Sequence, residues 1–281
     1  MKKLYISADI EGVACISAPV EVDKAHQAEY APFRDQMTAE VAAACSGAYA
    51  AGVEAIVVKD AHWTARNIDP HKLSAPSGKS LQLIRGWSGH PFAMVQGIDK
   101  TFDGAAFIGY HSAGGCGGNP LAHTVSSRAF ARVELNGAVA SEFLIYAYAA
   151  ASVGVPLVFL SGDKQLCDEA SRTIDGLQTV ATLEGFGASV LSLLPADAVR
   201  LIEAGVQRAV SGPAAELLKL PSDFAFKLTF NKATDAYAKS FFPQAKMVAD
   251  TELLLETSNY FDVLTFLWFA AQRGLSSSAP A

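Results

Sequence analysis

Residues 3–9 (KLYISAD) and 54–60 (EAIVVKD) are two short, mostly apolar stretches that both end in aspartate and resemble β-strands. The chain continues from them as Asp-Ile-Glu (9–11) and Asp-Ala-His (60–62). In extended backbone, residues i and i+2 point to the same side, so each strand end offers two potential metal ligands next to each other. Carboxylate oxygens and imidazole nitrogens are ligands that zinc accepts in proteins. The two stretches therefore predict a divalent-metal site at one edge of a sheet, as in a metal-dependent hydrolase.

Strand-like and helix-like segments alternate along the first part of the chain. The predicted strands are short runs of apolar, β-branched and aromatic residues, at 4–8, 55–59, 81–86, 105–110 and 157–161. Several are apolar on both faces, which is typical of buried parallel strands. Helices are predicted between them, among which 33–51 and 141–153 are each followed by glycine. The alternation predicts an α/β fold with a mainly parallel sheet flanked by helices.

The rest of the chain is less regular and predicts a smaller α+β subdomain. Its predicted elements are one or two strands in 179–193, a helix at 195–211, a strand at 224–230, a helix at 233–241 and a further segment at 247–256. We therefore expect an α/β core with the metal site at 1–176, the α+β subdomain at 177–257, a C-terminal helix that packs on the core within 258–274, and a disordered tail at 275–281.

The bulk composition argues against several classes of function. A net charge of −6 without a basic stripe argues against a nucleic-acid partner. The four cysteines form no CxxC pair, which argues against a disulfide framework and a thiolate zinc site. The N-terminus lacks the apolar segment of a secretory signal, and the longest apolar stretch, near 261–271, is shorter than the roughly 20 residues of a membrane span. We expect a cytoplasmic protein without a membrane partner.

Candidate site residues occupy the ends of three predicted strands: Asp9 and Glu11, then Asp60 and His62, then His111. In an open α/β sheet, ligands bind at the carboxyl ends of the strands. A single histidine is more often structural than a metal ligand. The shared strand-end position nevertheless favours metal binding for His62 and His111.

Two further candidates, His123 and Glu142, have alternative roles. His123 follows SAGGCGGNPLA (112–122), a loop whose four glycines let a substrate approach closely. It is interpreted as a general base, a nucleophile or a stabiliser of the tetrahedral intermediate, or equally as a structural loop histidine bonded to a backbone carbonyl. Glu142 opens a helix, where an acidic residue complements the helix dipole. It joins the site only if the hairpin-like stretch 125–140 returns the chain to the metal edge.

The chain contains, in this order, SADIEG (7–12), VKDAH (58–62), FIGYHS (107–112), LAHT (121–124) and ASEFLIYAYAA (140–150). This ordered set resembles the binuclear-zinc D-aminopeptidases of the dipeptide-transport-protein type. The resemblance continues through Asp163 and, more loosely, past Asn231 to the C-terminal helix, so it covers nearly the whole chain. It implies an α/β core with a smaller α+β portion, in agreement with the pattern of elements.

The resemblance also implies a site with two Zn²⁺ ions per subunit, although other divalent metals are possible. Carried over by motif, the metal ligands are Asp9, Glu11, His62, His111 and Glu142. Asp9 would bridge both ions and His123 would be the catalytic residue. Three carboxylates against two divalent cations leave one positive charge, which a bridging hydroxide would neutralise. A ring-like homo-oligomer, decameric in the known type, is implied as well, with active sites facing an inner chamber.

Two further residues each have two alternative roles. Asp60 either orients a histidine imidazole through its second nitrogen or caps the turn after its strand. Asn231 follows a strand and matches an asparagine of the family pattern, where it either contacts the substrate or forms a turn. The loop between His111 and His123 is slightly longer than the family pattern and unusually rich in glycine. This departure affects the wall of the active site that faces the substrate, and thus the substrate specificity more than hydrolysis itself.

The predicted function is hydrolysis of the N-terminal amide bond of a small peptide, with preference for a D-residue. The metals would bind the free amine and the scissile carbonyl and would activate a shared water. Two alternatives stay open. One is a metallohydrolase of another amide or ester bond, and the other is a non-catalytic metal- or peptide-binding protein linked to peptide transport.

Overall fold

The computed structural model describes residues 1–213 and 216–272. Within them the strands are, in chain order, β1 (Lys3–Ala8), β2 (Ala55–Asp60), β3 (Ser80–Ile84), β4 (Gly104–Tyr110), β5 (Phe130–Leu135), β6 (Ala138–Val139), β7 (Leu157–Asp163), β8 (Gln178–Phe186), β9 (Ser189–Ser192), β10 (Phe224–Phe230), β11 (Lys246–Ala249) and β12 (Glu252–Thr257). The α-helices are α1 (Gln27–Ala50), α2 (Glu142–Ser152), α3 (Lys164–Thr173), α4 (Pro195–Ser211), α5 (Ala233–Lys239) and α6 (Tyr260–Ala271).

Two sheets organise these elements. The first has the strand order β3-β2-β1-β4-β7-β8-β9, and its strands pair in parallel except in the β8–β9 hairpin. The second is antiparallel, with the order β11-β12-β10-β5-β6. The predicted α/β class, a mainly parallel sheet flanked by helices with a smaller second part, is confirmed.

The first sheet is buried on both faces because its central strands carry apolar residues on both sides. In β1, Tyr5 joins an apolar cluster that includes Phe107, whereas Leu4 and Ile6 join a second cluster that includes Val41 of α1. All five side chains are fully buried. Burial of each such side chain contributes about 1.5–3 kcal/mol to folding, so the central strands form a rigid support for the residues that follow them.

The two sheets divide the chain differently from the boundary expected at 176/177. Strands β8 and β9 extend the first sheet, and α4 packs beside α1, so residues 178–211 continue the α/β part. Conversely, β5 and β6 belong to the second sheet together with β10. The edge position of β8 and β9 leaves them only half-buried, which gives them the sequence pattern of an antiparallel subdomain.

Helix α6 packs on both parts of the molecule. The Tyr260 hydroxyl donates to the Ile145 carbonyl of α2, and Phe266 lies edge-on to Phe226 of β10, with ring centroids 6.3 Å apart. The tail expected at 275–281 and the last two residues of the segment expected at 258–274 lie outside the described residues.

Element bounds differ from the predictions at two helices. Helix α1 begins at Gln27 and continues through Pro32, its sixth residue, where the missing N–H removes one intrahelical hydrogen bond. Helix α3 was not predicted, since only Leu166, Cys167 and Ala170 of its charged sequence are buried. In the described ranges, no helix combines the length and the hydropathy needed to cross a bilayer.

Candidate metal centre

The ends of three neighbouring strands carry the centre. Strand β1 lies between β2 and β4, with Ala8 paired to Asp60 on one side and to Ile108 on the other. The Asp9 backbone N–H still donates to the Ile108 carbonyl at 2.8 Å, so the chain remains extended where the ligands begin. The carboxyl ends of the three strands therefore meet at one edge of the sheet, as the sequence predicts.

Glycines let the segments at this edge approach closely. The Gly12 N–H donates to the Gly109 carbonyl at 2.8 Å, and a Cβ at Gly12 would overlap the carbonyl oxygen of Tyr110. Gly109 has φ +70, a left-handed conformation that favours glycine. These contacts explain the glycine of SADIEG and the glycine of FIGYHS, and they bring the acidic residues of the first motif beside the histidine of the second.

Asp9, Glu11 and His62 form the first group of the centre. The His62 Nδ1 atom lies 3.2 Å from Asp9 Oδ1 and 3.1 Å from Glu11 Oε2. The second ring nitrogen, Nε2, lies 3.0 Å from the Val22 carbonyl oxygen, which accepts its proton and leaves Nδ1 to face the carboxylates. All three ligand candidates are buried. Their donor atoms lie within 4.8 Å of one another, close enough to share one ion.

His111 faces three carboxylates from the opposite side. Its Nε2 atom lies 3.6 Å from Asp9 Oδ2, 3.5 Å from Glu11 Oε2 and 3.7 Å from Glu142 Oε2. Its Nδ1–H donates to the Ser112 carbonyl at 2.9 Å. The Nε2 atom is buried and has no hydrogen-bond partner in the described part of the chain. A buried imidazole nitrogen aimed at carboxylate oxygens, without a hydrogen bond of its own, fits a metal ligand.

The charges of the centre shift the pKa values of its members. Burial raises the pKa of Asp9 to about 6, and the charge of Glu11 acts in the same direction. Burial also opposes ionisation of Glu11, but the positive charges of His62 and His123 outweigh it and hold the Glu11 pKa below its usual range. Burial lowers the pKa of His111, whereas the Glu142 and Glu11 carboxylates raise it to about 9. The cluster concentrates negative charge and favours bound cations.

His123 lies at the solvent side of the centre. Its ring stacks on His111 with centroids 4.6 Å apart and an interplanar angle of 19°. Nδ1 lies 2.9 Å from the Leu121 carbonyl oxygen, and Nε2 lies 3.9 Å from Glu142 Oε1. The side chain is 18% exposed, whereas that of His111 is fully buried. The glycine-rich loop therefore returns His123 to the ligands and leaves it accessible to a substrate.

Glu142 is held by a strained backbone. Val125 has φ +63, which is a rare conformation for a β-branched residue, and its N–H donates to Glu142 Oε1 at 2.6 Å. The second oxygen, Oε2, faces His111 Nε2. Strands β5 and β6 carry the chain from His123 back to α2, so the stretch 125–140 does return Glu142 to the metal edge.

Asp60 and Asn231 lie outside the ligand cluster. The Asp60 carboxylate accepts hydrogen bonds from the backbone N–H groups of Asn67 at 2.5 Å and Ile68 at 2.8 Å, and also from the Asn67 amide. The Asn231 amide donates to the carbonyls of Ser127 and Arg128, at 2.9 and 3.0 Å. Each residue thus holds a loop that runs next to the centre.

Supporting residues that the sequence did not reveal hold the ligands in place. Asp163 accepts from both the N–H and the hydroxyl of Ser112, the residue whose carbonyl orients His111. The Asn119 amide donates to the Glu11 carbonyl at 2.9 Å. An aspartate at the start of a helix, such as Asp163 before α3, is the one signal that a sequence offers for such a role, and it is also the signal of an ordinary helix cap.

Comparison with known proteins agrees with this geometry. Residues 1–269 match the model of peptidase family M55, the D-aminopeptidases. The chain belongs to this family. A D-aminopeptidase of Bacillus subtilis (strain 168) is 32% identical over 203 residues, which cover 71% of this chain and 70% of the relative.

A solved structure shares the fold. It is a Zn-dependent D-aminopeptidase from Bacillus subtilis described as a self-compartmentalizing protease, with a TM-score of 0.89 and 24% identity. The match covers 99% of this chain and 100% of the solved chain. The family resemblance, the fold class and the assignment to the aminopeptidases are confirmed.

Proposed function

We propose that this member of the M55 family is a zinc-dependent aminopeptidase that releases N-terminal D-amino acids from short peptides or amides. The observation that carries the proposal is the Nε2 atom of His111, which has no hydrogen-bond partner among the described residues and faces carboxylate oxygens of Asp9, Glu11 and Glu142. The family supplies the D-aminopeptidase activity. The zinc dependence of the structurally similar protein agrees with a donor set of oxygens and imidazole nitrogens.

We assign two Zn²⁺ ions to each subunit. Asp9, Glu11 and His62 would hold one ion, and Asp9, His111 and Glu142 would hold the other, because each trio brings its donor atoms within 4.8 Å. Asp9 belongs to both trios and would bridge the ions. When bound, zinc supplies a Lewis acid and lowers the pKa of a water molecule.

The residues of the chain supply the remaining steps. The His123 Nδ1–H donates to the Leu121 carbonyl, so Nε2, which lies 3.9 Å from Glu142 Oε1, is the ring nitrogen left for proton transfer. We assign to Nε2 the transfer of a proton between the attacking water and the leaving amine. The stacked His111 ring and the Leu121 carbonyl fix the orientation of His123. Asn231 would position the neighbouring loop. We also keep a direct contact between Asn231 and the substrate as a proposal.

We further propose that the chain forms a ring-like homo-oligomer, such as a decamer, and that its substrates are small peptides. The self-compartmentalizing relative motivates this assembly. Large apolar side chains on two surfaces of the chain support it. Phe186, Leu191 and Leu194 near the β8–β9 hairpin are 56%, 65% and 68% exposed, and Tyr237 and Phe241 near α5 are 61% and 71% exposed. The cytoplasm remains the predicted location.

The test combines elemental analysis of the purified chain with hydrolysis of paired D- and L-aminoacyl amides. We expect close to two zinc ions per chain and release of the D-residue at a much higher rate than of the L-residue. Turnover of another amide or ester bond alone would assign a different hydrolase. Peptide binding without turnover would support the transport-linked binding protein and contradict the proposal.

A further inference from the structure

Lys59 is a fully buried lysine next to the centre that the proposed chemistry does not use. It precedes Asp60 at the end of β2. Its Nζ atom donates to the Asp60 carbonyl at 2.7 Å and to the Gly86 carbonyl at 2.8 Å, and it lies 4.1 Å from the ring centroid of Trp87. Among the described residues, its partners are thus two backbone carbonyls and an aromatic ring, without a hydrogen-bonded carboxylate. Lysine is rarely buried in this way, because an ammonium group loses its hydration.

The segment that Lys59 holds, residues 86–87, in turn holds the turn that follows His62. The Gly86 N–H donates to the Ala65 carbonyl at 2.8 Å, and the Trp87 indole N–H donates to the Trp63 carbonyl at 2.5 Å. Trp63 and Ala65 have φ values of +39 and +51. Such values are uncommon for residues other than glycine and persist where the surroundings hold them. Residues 86–87 therefore fix the carbonyl groups of both strained residues.

The strained turn fixes the backbone of His62. The Ala65 N–H donates to the His62 carbonyl at 2.7 Å, and the Asn67 amide donates to the same carbonyl at 2.8 Å. With its carbonyl held twice and its Nε2 atom held by Val22, the His62 ring has its Nδ1 atom directed at Asp9 and Glu11. Hydrogen bonds and one ring contact thus connect Lys59 to the His62 backbone, through the peptide groups of Gly86 and Ala65.

We infer that Lys59 is a positioning residue for His62, acting through residues 86–87 and the strained turn 63–65. The inference rests on the proposed function, since it treats His62 as a metal ligand. Its ammonium group ties the end of β2 to the segment after β3 by two charge-assisted hydrogen bonds. It also supports the Trp87 ring from one face. Removal of the charge releases the Asp60 and Gly86 carbonyls and loosens the turn 63–65. The Nδ1 atom of His62 is then no longer held towards Asp9 and Glu11.

The chain offers a matched control in Lys239. This lysine is also buried, donates from Nζ to the Phe269 carbonyl at 2.9 Å and lies 4.6 Å from the Phe269 ring centroid. Its contacts join α5 to α6 rather than to the strand ends. Lys59→Met and Lys239→Met thus remove the same kind of buried cation at two places, of which one is linked to His62.

The experiment measures zinc affinity by chelator competition in the full chain, with hydrolysis of a D-aminoacyl amide as a second readout. We expect Lys59→Met to bind zinc roughly 10- to 100-fold more weakly, as is typical when a residue that orients a ligand is lost. We expect Lys239→Met to keep the affinity of the unmodified protein. Unchanged affinity in Lys59→Met, or equal losses in both variants, would overturn the inference.

A second variant keeps the test decisive if Lys59→Met does not fold. Trp87→Phe keeps an aromatic ring beneath the ammonium group and removes the N–H that holds the Trp63 carbonyl. A loss of zinc affinity supports the chain of contacts, and an unchanged affinity refutes it. Failure of the proposed function has a different signature, because the unmodified chain would then neither bind zinc nor release D-residues, and the role of Lys59 would fall with it.

Discussion

The two sides of the metal centre are built differently. On the strand side, Asp9, Glu11 and His62 follow adjacent parallel strands whose pairing fixes their spacing. On the loop side, His123 and Glu142 are placed by a glycine-rich loop, a strained valine and a second sheet. We propose a division of labour in which the strand side supplies most of the metal ligands, and the loop side adds one further ligand, Glu142, and the histidine that moves protons.

The largest expected effect comes from the residue shared by both metal trios. Asp9→Asn removes the negative charge and replaces one of the two carboxylate oxygens that face His62 and His111 by an amide NH2 group. We expect zinc content to fall and turnover to drop by more than about 10³-fold, because both ions lose a ligand. Elemental analysis and D-aminoacyl amide hydrolysis measure the two effects. Asp197→Asn, which alters an exposed carboxylate on α4, is the control. If Asp9→Asn retained zinc and turnover, the strand side would not be part of the metal site.

Loss of the loop-side histidine separates chemistry from metal binding. We expect His123→Ala to lower turnover by about 10²-fold or more while zinc content stays unchanged, because Nε2 no longer transfers a proton. Single-turnover kinetics and elemental analysis on the same sample check both statements. Near-normal turnover would exclude His123 from the mechanism, and loss of zinc would place it among the ligands.

A displaced loop should have a smaller effect than a missing histidine. A Cβ at Gly118 would lie 2.5 Å from both Ser112 Oγ and Gln165 Cβ, whereas a Cβ at Gly117 would meet no atom within 4 Å. We expect Gly118→Ala to lower turnover by roughly 10-fold through displacement of His123. Gly117→Ala in the same loop should leave turnover unchanged. Equal rates for the two variants would show that the position of the loop does not matter.

The smallest effect on activity is expected beneath the strand side, at Glu40. This buried carboxyl group accepts from the Ala14 N–H at 3.0 Å, and burial raises its pKa to about 7. Its ordinary pKa is 4.5. Between these values the folded chain keeps a proton that the unfolded chain releases, so stability is full below the lower value and is lost as the pH rises towards the higher one.

Urea unfolding at pH 5 and pH 8 tests this prediction. We expect ionisation of Glu40 to lower the free energy of unfolding of the unmodified protein by about 3 kcal/mol between pH 5 and pH 8. Glu40→Gln should remove this decrease and keep turnover unchanged. An identical pH dependence in both proteins would show that Glu40 is ionised in the folded state.

The sequence predicts the strand side far better than the loop side, for physical reasons. Parallel strands place their carboxyl ends at one edge of a sheet, so the convergence of Asp9, Glu11 and His62 follows from their positions directly after β1 and β2. Glu11 and His62 themselves lie in a turn and a bend, so strand alternation does not set their direction. The positions of His123 and Glu142 follow from the family resemblance, because their placement depends on contacts between distant segments. One example is the hydrogen bond from Val125 to Glu142 Oε1.

Residues that support the ligands are the hardest to predict. Lys59 looks like an ordinary strand residue in sequence, and its role depends on Gly86 and Trp87, which lie beyond another strand. The domain boundary fails for a related reason, since the edge strands β8 and β9 are half-buried and carry the pattern of a separate subdomain. Long-range contacts, rather than local patterns, decide both features.

Anomalous diffraction at the zinc edge from crystals of the full chain tests the central claim most directly. We expect two peaks, one bonded to Asp9, Glu11 and His62 and the other to Asp9, His111 and Glu142, with metal–ligand distances of ~2 Å. No peak at these residues in a preparation that hydrolyses D-aminoacyl amides would contradict the account.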